Sequence, residues 1–282
     1  MNEAGSVKPI PWTGPQLAVL LLVATYLGVP ASKGVVHWLG LPPDDGAYLS
    51  QIITMGTEAA VIASVPTLRD RAAALLRARV RRRQFGELAA LAAVAMLAQF
   101  ALFGFYALVV WSRGGDSAVV QMTLETARGA DTAFAASTLR HLAITCLLAP
   151  LMEEMVFRGF LFEAWAKTRP ASVAMLFSSA VFAACHLSFT LPFLVGLLLC
   201  AVYVRTGALR GSILVHFCAN IVLWYPLCGQ FLIPLHNGGI GSWWFQLTCL
   251  AVLPPFIVIY AFFAARSARL TSAPVAFAAT SP

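Results

Sequence analysis

Two adjacent carboxylates and an arginine, Glu153-Glu154-Met-Val-Phe-Arg158, stand inside an otherwise apolar stretch. Two later apolar stretches each hold a histidine with a partner four residues away: Phe182 before His186, and Asn220 after His216. A carboxylate free of ion pairing can take a proton from water, and an imidazole can help hold that water. A second histidine and an amide can donate hydrogen bonds to the oxyanion that water attack creates. Glu153, His186, His216 and Asn220 are thus the candidate catalytic set, with Glu154, Arg158 and Phe182 in support.

Helical spacing divides the labour. Residues four apart share a face, so Glu154 and Arg158 form an ion pair with the acid in the favourable N-terminal position. Adjacent residues point about 100° apart, which leaves Glu153 as the unpaired carboxylate. A plainer assignment of the same residues is a polar network that only holds helices together. Glu153 and His186 lie at similar distances either side of a turn at Lys167–Pro170. On antiparallel helices that places both roughly 20–25 Å from the turn. Phe182, one turn before His186, would restrict its ring. His216 lies only about 9 Å of helix from Arg210, shallower than Glu153 on this count.

The elements that must position these groups are helices in an apolar chain. Hydrophobic residues make up 60% and charged residues 11% of the 282, and mean hydropathy is +0.80. A soluble domain has nearer 25% charged residues, so the composition predicts an all-α polytopic membrane protein. Eight spans are expected near 13–30, 47–67, 87–111, 138–164, 171–188, 190–205, 210–228 and 243–265. With the N-terminus inside, fifteen of the nineteen Lys and Arg fall on the cytoplasmic side, as the positive-inside rule requires. Both termini are then cytoplasmic, in a multi-pass protein of a bacterial inner membrane. The net charge of +7 owes most to the arginines of residues 69–83, expected as a loop facing lipid headgroups rather than nucleic acid. Residues 1–86 form a two-span extension, 87–270 the core with its motif region at 138–228, and 271–282 a disordered tail. All six cysteines lie in apolar runs, where they pack as small side chains. Cys185 and Cys218 adjoin the site histidines but point off their faces.

At these residues the chain resembles the CAAX prenyl protease and bacteriocin-processing family of intramembrane endopeptidases, also called Abi. Its motifs EExxxR, FxxxH and HxxxN or HxxxD occur here in order and without departure. The resemblance implies an eight-helix core, water activated by Glu153 and His186, an oxyanion held by His216 and Asn220, and support from Glu154 and Arg158. It implies a membrane-attached protein or peptide as substrate, cleaved near its C-terminus or membrane junction. Glutamate chemistry without a cofactor is expected, with zinc on Glu153, His186 and His216 as the alternative. Rival functions are a non-catalytic scaffold or immunity protein of the same fold, and a small-solute transporter using Glu58 and Gln99.

The charge distribution makes one expectation directly measurable. Reporter fusions after Arg83, Lys167 and Arg269 should report cytoplasm, and fusions after Asp116 and Gly239 the outside. An external signal at residue 83 would invert the topology.

Overall fold

The computed structural model describes residues 16–17, 20, 34–40, 43–96, 112, 115, 139–140, 142–186 and 190–222. The last expected span, most of the first, the tail, Gln99, Cys228 and Cys249 lie outside the described residues. Among those described the chain is helical and contains no strand. We label α1 (Pro43–Ser64), α2 (Pro66–Arg77), α3 (85–96), α5 (Ala171–Ala184), α6 (Thr190–Thr206) and α7 (Leu209–Val222). Between them α4 runs unbroken through four segments: Leu142–Leu148, Ala149–Glu154, Met155–Phe162 and Glu163–Ala166. The first and third of these have π-type turns.

Punctuation in the sequence places the ends. Pro66 opens α2, where a missing N–H costs nothing. Pro170 precedes α5, and the Lys167–Pro170 turn lies where it was expected. Gly207 takes a positive φ of 65° and closes α6, its N–H donating to the Tyr203 carbonyl at 2.8 Å.

Each helix except α2 falls on an expected apolar stretch, yet as spans they fall short. Among the described residues no helix is long and apolar enough to cross a membrane. α5 has 14 residues and α6 has 17, against about 20 for a hydrocarbon core of about 30 Å. α4 is longer but carries Glu153, Glu154, Arg158 and Glu163. The 69–83 stretch, expected as a loop, is helical through Arg77, and its α2 joins the core.

Two apolar clusters hold the helices. The larger joins Leu68, Ala72 and Leu75 of α2 to Phe157, Phe160 and Leu161 of α4, and through Phe182, Cys200 and Tyr203 to α5 and α6. The smaller packs Leu88, Leu91 and Ala95 of α3 on Leu198, Val202 and Val215. Polar ties cross both. Arg71 donates to both carboxylate oxygens of Glu163, to Oε2 at 2.8 Å, and Tyr203 donates to Oε1 at 2.5 Å. Burial opposes the Arg71 charge, but the Glu163 carboxylate outweighs it and raises the pKa above its ordinary value. Arg205 donates to Glu87 at 2.5 Å, tying α6 to α3.

Small residues let α4, α5 and α6 approach closely. Ala171, Ala174, Ser178, Ser179 and Phe182 form the buried face of α5 at three- and four-residue intervals. Ser178 donates to the Phe157 carbonyl at 2.7 Å. Ser179 faces Gly196 of α6, where an added Cβ would sit 3.0 Å from the serine Cβ and 3.1 Å from its Cα. Gly196→Ala should therefore lower stability slightly and Gly196→Leu by about 1–3 kcal/mol, the usual range for overpacking. Thermal unfolding of the detergent-purified variants measures this, and an unchanged midpoint for Gly196→Leu would show that α5 and α6 separate freely.

Candidate active site

The site is built around Arg158, which is fully buried. Its Nη1 donates to Glu154 Oε1 at 2.7 Å, across one turn of α4. Its Nη2 donates to the Gly196 carbonyl of α6 at 3.2 Å. The guanidinium lies over the Phe182 ring of α5, 4.6 Å from Cζ to centroid, a cation–π arrangement strengthened by desolvation. Helices α4, α5 and α6 thus meet on one cation.

The fourth helix joins through Glu154. His216 Nδ1 lies 2.8 Å from Glu154 Oε1, the oxygen that also accepts from Arg158. A carboxylate can only accept there, so Nδ1 carries the proton. The other ring nitrogen then faces Glu153, with Nε2 3.6 Å from Oε2. Glu153 is the outward member of the acid pair. Its side chain is 28% exposed, against 0% for Glu154. Among the described residues neither Glu154 Oε2 nor Arg158 Nε has a hydrogen-bond partner.

Phe182 gathers the aromatic groups. Its ring lies 4.5 Å from that of His186 and 5.9 Å from that of His216, and it meets Phe157 edge-on at 5.1 Å. His186 follows the last turn of α5, exposed, with Nδ1 2.7 Å from the Phe182 carbonyl. A carbonyl accepts, so Nδ1–H donates, and Nε2 of the neutral ring is left to accept a proton or a water hydrogen. Asn220 Nδ2 donates to the Thr145 carbonyl at 2.9 Å, which leaves its second amide hydrogen for another acceptor.

The structure therefore brings Glu153, Glu154, Arg158, Phe182 and His216 together, with His186 against Phe182 and Asn220 turned onto α4. The imidazole set against Glu153 is His216, which sequence reasoning reserved for the oxyanion. In the sequence, equal depth selects His186, and on that count His216 is too shallow. The eight-residue π-type segment Met155–Phe162 lies between Glu153 and the turn. Wider turns advance less per residue, so Glu153 sits nearer the turn than a uniform α-helix would put it. Thr145, Gly196 and the Arg71–Glu163–Tyr203 cluster went unnoticed. For Glu163 the signal was present, an acid in an apolar stretch.

Among the described residues no three His, Cys, Asp or Glu side chains group to hold a metal ion. His216 turns Nδ1 to Glu154 and His186 turns Nδ1 to the Phe182 carbonyl, which leaves Nε2 of each ring as the nitrogen for a proton or a metal. Cys146 and Cys200 are buried, Cys185 and Cys218 half-buried, and among the described residues none of the four forms a disulfide.

Residues 134–222 match the family model of Rce1-like type II CAAX prenyl endopeptidases. The segment is Rce1-like. This is the family that the three motifs resemble, and the matched stretch contains Glu153, Glu154, Arg158, Phe182, His186, His216 and Asn220. No curated protein and no solved structure matches the chain.

Within the Rce1-like segment the buried pair is testable by itself. Glu154→Gln strands the Arg158 cation and should cost about 3–5 kcal/mol, as breaking buried pairs does. Adding Arg158→Met should recover much of that loss, giving a coupling energy of about 0.5–3 kcal/mol in a double-mutant cycle. Additive losses by thermal unfolding would mean the two groups do not support each other.

Proposed function

We propose that this protein is a membrane-embedded endopeptidase that hydrolyses a peptide bond in a membrane-attached protein or peptide. The observation that carries the proposal is Glu153, a half-open carboxylate set 3.6 Å from His216 and braced from behind by a fully buried Glu154–Arg158 pair. The Rce1-like match supports the reaction class. Exposed leucines and aromatics on α4, α5 and α7, among them Leu147, Leu176, Phe177 and Leu214, favour a lipid environment over water.

In this reading Glu153 accepts a proton as water attacks the scissile carbonyl. His186 steadies that water through Nε2, because Phe182 occupies its Nδ1. The carbonyl oxygen becomes an oxyanion, stabilised by the free amide hydrogen of Asn220 and by His216 when Nε2 is protonated. Glu154 and Arg158 touch none of the reacting atoms. They fix His216 and, through the backbone, the direction of Glu153. The arginine-rich end of α2 and the residues after it, with Arg77, Arg79, Arg81, Arg82 and Arg83 exposed, lie at the cytoplasmic headgroups.

Glu153→Gln and His186→Ala should each abolish cleavage of a fluorogenic membrane-anchored peptide while the protein still accumulates in membranes. Asn220→Ala should lower kcat by about 10²–10³ with little change in KM, the cost of losing one oxyanion donor. Wild-type activity should survive exhaustive chelation. Full activity in Glu153→Gln would end the general-base assignment, and stoichiometric zinc leaving together with activity would replace the water chemistry described above.

A further inference from the structure

Facing a headgroup layer requires only positive charge. The residues that follow α2 are held more firmly than that. Arg81 donates its backbone N–H to Gln84 Oε1 at 3.0 Å, and the Gln84 N–H returns to the Arg81 carbonyl at 2.8 Å. These two bonds close the short turn Arg82–Gln84 on itself. The same Gln84 side chain donates through Nε2 to the Arg205 carbonyl, in the last turn of α6, at 3.2 Å. Arg205 in turn donates to Glu87, in the first turn of α3, at 2.5 Å. Val80 packs inward against the smaller apolar cluster. The turn is thus fixed to α6 on one side and to α3 on the other.

Val80 and Gln84 face the protein, while Arg79, Arg81, Arg82 and Arg83 are exposed. Among the described residues none of these four guanidiniums has an ion-pair partner. The acids of this end are taken: Glu87 by Arg205, Glu163 by Arg71, and Asp70 by Arg69. Like charges on a loose loop can swing apart. On a turn fixed at both ends their spread is limited, and an anion from outside relieves the repulsion. The surroundings decide what carries that anion. Phe85, the residue after the turn, is exposed, as are Leu176 and Phe177 of α5. α5 starts at this same end of the bundle, because the hydrogen bond from Tyr203 to Glu163 brings the end of α6 beside the end of α4. Leu176 lies about 9 Å of helix from Pro170. A layer of arginines above an apolar lateral surface is the profile of a membrane boundary rather than of a protein-binding face.

We propose that the Arg81–Arg83 turn is a binding site for the phosphate group of an anionic phospholipid in the cytoplasmic leaflet. The site rests on the membrane-embedded part of the reading above and not on cleavage. Guanidiniums meet phosphate oxygens with forked N–H pairs, and Phe85 lies against the upper part of the acyl chains. Bound phospholipid then fixes the depth of the connection between α2 and α3, and through Gln84 and Glu87 the depth of the end of α6.

The test reconstitutes full-length protein in phosphatidylcholine bilayers with a trace of spin-labelled lipid, either phosphatidylglycerol or phosphatidylcholine with the same acyl chains. Electron paramagnetic resonance separates lipid held at the protein from bulk lipid and gives the preference for one headgroup over the other. Wild type should prefer phosphatidylglycerol by about fivefold or more, the worth of one arginine at an anionic surface. Most of that preference should vanish in about 1 M salt. Arg81→Gln, Arg82→Gln and Arg83→Gln together should abolish it. Arg69→Gln, Lys167→Gln and Arg169→Gln together remove as much charge from the same end and should leave it in place. Gln84→Ala removes no charge but frees the turn, and should weaken it. Equal losses in the two triple variants would make the preference a property of diffuse charge and overturn the site. An unchanged preference in Gln84→Ala, or after the three substitutions at 81–83, would do the same. Displacement of the labelled lipid by inorganic phosphate or polyglutamate, at matched ionic strength, would assign the turn to a soluble anion instead. A held fraction without headgroup preference would refute the site alone. A spectrum with no protein-held lipid of either kind would refute the membrane-embedded reading, and the lipid site with it.

Discussion

A cation with no access to water governs this structure. Arg158 is buried completely, and an unpaired charge there would cost far more than any single contact returns. Everything around it satisfies that demand: Glu154 supplies the counter-charge, Gly196 a carbonyl, and Phe182 an aromatic face. These partners come from α4, α6 and α5, so the arginine can be accommodated only when the three helices are assembled. α7 enters through the carboxylate, because His216 shares the Glu154 oxygen that Arg158 uses. The closeness of α5 and α6 follows from the same demand. Gly196 must present its carbonyl to the guanidinium, and an added Cβ would crowd Ser179 at that approach.

Departures from regular α geometry do the second part of the positioning. α4 has π-type turns on both sides of the Glu153–Glu154 pair. Below the pair they draw Glu153 towards the turn and level with His216. Such turns are frequent at functional sites, where they rotate a side chain without ending the helix. Here they flank the two adjacent carboxylates, turning one inward to the ion pair and leaving the other half open.

What was legible in the sequence was local. Glu154 with Arg158 and Phe182 with His186 sit four apart, and one helical turn brings each pair together whatever the rest of the chain does. The Lys167–Pro170 turn was legible because proline and charge interrupt an apolar run. Contacts between distant segments were not. That His216 faces Glu153, that Asn220 donates to Thr145, and that α2 anchors Glu163 depend on helix rotation and depth, which a uniform rise of 1.5 Å per residue misjudged once π-type turns intervened. The arginines of 69–83 were read as one basic loop, yet Arg71 differs from its neighbours. It lies on the face of α2 adjoining Leu68, Ala72 and Leu75, and turns inward to Glu163.

The ion pair at the centre is not there for stability alone. Replacing a buried pair by apolar residues of similar volume is often neutral or favourable, so retaining one is weak evidence of a stabilising role. Its geometry points to orientation. Glu154 Oε1 accepts from both Arg158 and His216, while among the described residues Oε2 and Arg158 Nε are left unmatched. A pair optimised for its own energy would use both oxygens in a two-point clasp. Sharing one oxygen gives up part of that attraction and holds the imidazole by Nδ1, which presents Nε2 to Glu153 in a fixed tautomer. The buried charge thus sets, through one shared oxygen, which nitrogen of His216 meets the open carboxylate.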